Sequence, residues 1–124
     1  MNAIPAALAC ALALSLTSAA ASAQDLVQTA GKNAKVVLEN DKVRVIELNM
    51  PPKGSTGVHS HQDNLVVFLS GGTAHQTTID PKTGKEVVKD MQRKPGEVVW
   101  SGPVKHDTVN SGNAPVRTLV IELK

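Results

Sequence analysis

The fold class that this sequence predicts is all-β, a single small barrel or sandwich. Three observations predict it. Short runs rich in β-branched residues recur from residue 36 to the end of the chain. Gly, Pro, Asn and Asp cluster between those runs at regular intervals, and no segment sustains an apolar period of 3.6 residues.

The elements follow in order. Residues 36–39 and 43–48 read as the first two strands, with Asn40, Asp41 and Lys42 as the turn between them. Pro51, Pro52 and Gly54 break the second strand. Residues 65–69 form an apolar run closed by Gly71 and Gly72. Residues 73–79 and 86–91 flank a long hairpin loop at residues 80–84. A turn at Lys94, Pro95 and Gly96 leads into residues 97–100, and Ser101, Gly102 and Pro103 bend the chain into residues 106–109. Ser111, Gly112 and Asn113 turn it again into a last strand over residues 115–123. Residues 24–35 are polar and read as a loose N-terminal arm.

The first 23 residues read as a signal peptide. Residues 4–23 are apolar or small and uncharged, and they end in Ala21, Ser22 and Ala23 before Gln24, a small-x-small pattern that signal peptidase accepts. The apolar stretch is short for a transmembrane span of about 20 residues. Cleavage after Ala23 and a periplasmic or secreted location are the expectation, with no membrane attachment once the leader is removed. The chain then divides into residues 1–23 (signal peptide), 24–35 (arm) and 36–124 (barrel domain). Roughly 100 residues can bury one core. Cys10 is the only cysteine and leaves with the leader, so the mature chain has no disulfide and no thiol ligand.

The formal net charge is only +2, the basic residues are scattered, and Phe68 and Trp100 are the only aromatic residues. Nucleic-acid binding needs a basic stripe interleaved with stacking residues, and neither is present.

Chemistry concentrates in the histidines. Of the four in the chain, His59 and His61 are two apart, so in a strand they face one side. His106, from a distant strand, can close over them. Three neutral imidazoles converging on one point make a ligand set for a divalent transition metal: Fe, Mn, Ni, Cu or Zn.

The segments that carry these histidines resemble the two motifs of the cupin superfamily. Gly54 through His59, Ser60 and His61 to Gly71 is similar to the first motif. Gly96, Gly102, Pro103, His106 and Asn110 are similar to the second. The likeness spans residues 36–124 and is strongest to small single-domain bacterial cupins. It implies a small jelly-roll β-barrel with a site in its mouth and His59, His61 and His106 as the metal ligands. The family's fourth ligand, a glutamate, does not carry over. Its spacing lands on Asn64, and no Glu lies between Glu47 and Glu86. Asn64 or His75 is the candidate for a fourth ligand.

Without a carboxylate the site keeps the full charge of its ion and favours a small anionic or chelating molecule. Two readings stay open. One is a metal-dependent oxygenase, isomerase or lyase, with His75 or Gln76 nearest to handling protons. The other is a non-catalytic barrel that binds a metal or small ligand at a degenerate site. An ionisable group such as His75 beside the ligands favours chemistry; His75 on the outer surface favours binding. Asp63 reads as a solvated loop carboxylate before an acceptor that orients a ligand imidazole, Arg44 as exposed, Trp100 as a core plug before a pocket lining, Met50 and Met91 as core filler, and Asn110 as a turn cap. Exposed strand edges make a homodimer the expected assembly, through exchange of the arm or extension of a sheet.

Overall fold

Alternating apolar residues make each run a strand with one buried face, and two such faces stacked together make the domain. The computed structural model describes residues 24–124; the expected signal peptide and Cys10 lie outside the described residues. The strands are β1 (Ala34–Glu39), β2 (Val43–Met50), β3 (His59–His61), β4 (Asn64–Phe68), β5 (Gly72–Ile79), β6 (Glu86–Arg93), β7 (Val98–Ser101), β8 (Val104–Asn110) and β9 (Val116–Leu123). One sheet has the order β1-β2-β9-β4-β7 and the other β3-β8-β5-β6, with every pairing antiparallel.

Turn chemistry sets the hairpins. Asn40 Oδ1 accepts from the amides of Lys42 and Val43 and closes the β1–β2 turn. Asp80 Oδ1 does the same for Lys82 and Thr83 between β5 and β6. Gly84, at φ 72°, completes that loop by donating to the Asp80 carbonyl. Asn110 is the structural residue expected at the end of β8: its side-chain amide donates to the carbonyls of Met50 and Ala114, and its Oδ1 accepts from Gly112.

The register decides what faces inward. Ile46 pairs with Val120, Leu48 with Thr118, and Val66 with Val120. Ile46 and Val120 sit at the centre of the core with Leu26 and Ala30, flanked by Val36, Leu48 and Val66. Arg44 is in phase with Ile46, and Glu122 with Val120, so both charged groups face the inside of the sandwich.

Leu26 and Ala30 correct the reading of residues 24–35 as a loose arm. They lie on a short helix, α1 (Leu26–Ala30), followed by a 3-10 turn at Gly31–Asn33. Both side chains are buried, and the amide of Ser60 in the edge strand β3 donates to the Gln24 carbonyl. The segment therefore covers an edge of its own sheet, and it does so beside the histidines. Polar neighbours hide the i, i+4 apolar pair, and a five-residue helix is too short to show a period.

Trp100 also departs from expectation. It pairs with Leu65 and is 57% exposed, although it also borders the cavity, while its neighbour Val99 pairs with Val66 on the inner side. The run Glu97, Val98, Val99, Trp100 has apolar residues in both phases, so alternation alone does not choose the face.

Gly72 is required by packing. A Cβ there would overlap the side chain of Val116 across the sandwich. Gly72→Ala is expected to destabilise the domain by about 1–3 kcal/mol through overpacking, measured by urea unfolding; an unchanged midpoint would show that Val116 moves aside freely.

Candidate metal centre

The three histidines are brought together by strand register. His59 pairs directly with His106 across β3 and β8, and His61 follows two residues on, facing the same way. Each of the three offers a ring nitrogen within 4.8 Å of the others. The rings pack edge to face, with centroids 4.6–5.3 Å apart. His59 and His61 are buried and His106 half-buried.

Two hydrogen bonds fix which nitrogens are free. His59 Nδ1 donates to the Gly57 carbonyl at 2.7 Å, and His61 Nδ1 donates to Glu122 Oε2 at 3.0 Å. A neutral ring that carries its proton on Nδ1 has a bare lone pair on Nε2. The two Nε2 atoms face each other at 2.8 Å. Bare lone pairs at that distance repel unless a proton or a cation lies between them. Two nitrogens sharing one ion at ~2.1 Å sit about 3.0–3.4 Å apart, so a small opening of the rings suffices to admit it. The donor set therefore fits a divalent transition metal.

Burial keeps His59 and His106 neutral. It pushes His106 down to about 3, with His59 and His61 adding to the effect. Burial likewise lowers His59, against the opposing hydrogen bond to Gly57. Neutral imidazole is the form that binds metal.

A chain of charged groups stands behind His61. Glu122 Oε1 accepts from Arg44 Nε at 2.7 Å and lies 2.6 Å from Nη2 in the ion pair, while Arg44 Nη2 donates to Asp25 Oδ2 at 2.7 Å. Asp25 caps α1 through its other oxygen, which accepts from the Val27 amide. Burial alone would raise the carboxyls of Asp25 and Glu122. Hydrogen bonds from Arg44 to both, from Val27 to Asp25 and from His61 to Glu122 outweigh it and hold both below their ordinary ranges. Arg44 is thus not exposed as expected; its side chain is 21% accessible and holds two carboxylates. A carboxylate behind a ligand imidazole fixes the ring and raises its basicity.

Glu122 and Asp25 are the residues that sequence reasoning missed. The expected carboxylate position holds Asn64, which is buried and pairs with Glu122 across β4 and β9. Asn64 lines the cavity, and its Nδ2 donates to the carbonyls of Gln62 and Ser101, leaving Oδ1 as its free donor atom. Asp63 is exposed in the loop before β4.

His75 is corrected as a ligand or acid–base candidate. It lies on the outer face of β5, paired with Asp90 on β6, its side chain 55% accessible. Strand alternation places Ala74 and Gln76, not His75, on the cavity wall. Gln76 does line the cavity, where its amide donates to Thr108 at 3.3 Å.

The histidines open onto a cavity of about 320 Å³ between the sheets. Its walls are mostly apolar, with Leu48, Met50, Val66, Phe68 and Met91 prominent. No Asp, Glu or Lys lines it among the described residues.

Neither a protein-family model nor a curated protein matches the chain. Solved structures do. A cupin domain from Bordetella pertussis Tohama I is 29% identical, over 73% of this chain and 91% of that one, with a TM-score of 0.62. An RmlC-like cupin with a double-stranded β-helix fold from Methanocaldococcus jannaschii aligns over 73% and 77% at 14% identity and a TM-score of 0.58. A cupin superfamily protein from Desulfitobacterium hafniense DCB-2 aligns over 73% and 74% at 18% identity and a TM-score of 0.54. The chain has the double-stranded β-helix fold of a small cupin, with three histidines close enough together to hold a metal ion.

Proposed function

We propose that this chain is an exported small cupin that holds one divalent transition metal through His59, His61 and His106 and uses it to bind a small anionic or chelating molecule. The observation that carries the reading is the pair of Nε2 atoms facing each other at 2.8 Å, each left bare by the hydrogen bond at its Nδ1. When bound, the ion would supply a positively charged anchor for hard oxygen donors. The chain's own residues do the rest. Gly57 and Glu122 orient two rings, Arg44 holds Glu122, and the apolar walls shield the site from water.

Binding is favoured over catalysis by the composition of the cavity. Its only ionisable side chains among the described residues are the three histidines and Arg93. Glu122 lies behind His61 and is engaged by Arg44. A proton-transfer step needs a free group beside the ligand, and His75 faces outward.

Export and homodimer formation belong to the same proposal. The uncharged leader with Ala21, Ser22 and Ala23 supports the first; exposed Val98 and Trp100 on the edge strand β7 support the second.

The test is a competition titration of zinc into the wild-type chain and Glu122→Gln. Removing the charge behind His61 is expected to weaken zinc about 10–100-fold. Equal affinities would show that Glu122 does not support the ion, and zinc bound by neither protein would exclude zinc as that ion.

A further inference from the structure

The cavity has a second polar end. Among the described residues, two buried side-chain atoms have no hydrogen-bond partner: Arg93 Nε and Thr118 Oγ1. Both residues line the same cavity as the histidines. They also flank one ring. Phe68 pairs with Thr118 across β4 and β9, and the Arg93 guanidinium lies 5.8 Å from the Phe68 ring centroid.

Register places this end away from the metal centre. Thr118 is four residues along β9 from Glu122, a rise of about 13 Å. Arg93 pairs with Gly72 at the start of β5, whereas His106 pairs with Thr78 near its end. Apolar side chains line the interval, with Val66, Val99 and Val120 among them.

Buried donors without acceptors are rare in folded proteins and call for an occupant. Glu97 answers Arg93 only through Nη1, at 3.6 Å, and leaves Nε without a partner. A guanidinium and a hydroxyl on the wall of one cavity, both neighbours of Phe68, suit a carboxylate: Arg93 donates, and Thr118 donates through its own proton.

We propose that Arg93 and Thr118 form a distal carboxylate subsite, so that the ligand is an elongated acid with an apolar body. In zinc-loaded protein its other end is a second oxygen donor for the metal. The two-ended form of this inference rests on the metal reading above; the carboxylate subsite does not.

Calorimetry separates the two. In metal-free protein at neutral pH, octanoate is expected to bind about tenfold tighter than octanamide, the advantage of a charged hydrogen-bonded group. That ratio falls to about one in Arg93→Met and to an intermediate value in Thr118→Val. In zinc-loaded protein octanedioate is expected to exceed octanoate by about tenfold, and Arg93→Met removes the gap. Thermal melts establish that each variant is folded, and Arg93→Lys, which keeps the charge, retains part of the octanoate preference. A ratio that survives in folded Arg93→Met, or octanoate and octanamide binding alike to wild type, would overturn the subsite and leave water as the partner of both atoms. An Arg93-dependent preference in a protein that binds none of Mn, Fe, Ni, Cu or Zn would uphold the subsite while ending the metal reading.

Discussion

His106→Ala is expected to lower the affinity for a divalent ion by at least about 100-fold, more than the loss of a group behind a ligand costs. His106 supplies the third nitrogen from a different strand, so its removal leaves two donors from β3 alone. The effect reads out as stability. An ion at 100 times its dissociation constant stabilises the wild type by about 2.7 kcal/mol, which raises the melting temperature of a domain this size by roughly 10–20 °C. In His106→Ala that rise should shrink to about 3 °C or less at the same zinc concentration. The metal-free melting temperatures should stay close, because removing His106 also relieves the crowding of three closely packed imidazoles. A full zinc-induced shift in the variant would show that the ion binds elsewhere.

Arg44→Met should be the most destabilising change in the charged chain behind the site. It strips the cation from two carboxylates, Asp25 and Glu122, whose side chains are at most 31% accessible. Breaking one partner out of such a cluster costs on the order of 2–3 kcal/mol, somewhat below the value for fully buried pairs. The cost depends on pH in a defined direction. Both carboxyls are held below their ordinary values in the folded chain. Their contribution is therefore complete above the unfolded carboxylate range, about pH 4, and is lost as pH falls through the folded values. Urea unfolding at pH 7 and at pH 3 should show a large gap between wild type and variant at the first and a smaller one at the second. A gap of equal size at both would mean that Arg44 acts through packing alone. The double variant Arg44→Met/Glu122→Gln should recover part of the loss, since it removes one of the two stranded charges.

The β elements and the histidine cluster were legible in the sequence because both rest on local rules. Alternation of β-branched residues and the turn residues Asn40, Asp80 and Gly84 define strands without reference to distant partners. The His-x-His spacing puts two imidazoles on one side wherever the strand lies. What was not legible depends on sheet order. Glu122 and Arg44 become neighbours only because β2 and β9 are adjacent, 78 residues apart in sequence. Each carried a weak signal: a charge in phase with a buried residue, Val120 or Ile46. The same holds for Thr118 and Arg93, whose shared cavity exists only once two sheets stack. Asn64 stands where the first motif suggests a carboxylate, and the carboxylate instead comes from the adjoining strand, behind His61 rather than beside it. Trp100 and residues 24–35 failed for simpler reasons: an apolar run with two usable phases, and a helix one turn long.

The central claim is that His59, His61 and His106 hold one metal ion. Native mass spectrometry of the purified chain after exposure to Mn, Fe, Ni, Cu or Zn and removal of excess tests it most directly. The account predicts one ion per chain for at least one of these metals, lost in a His59→Ala/His106→Ala variant that remains folded. No bound ion with any of them, or the same occupancy in the variant, would contradict it.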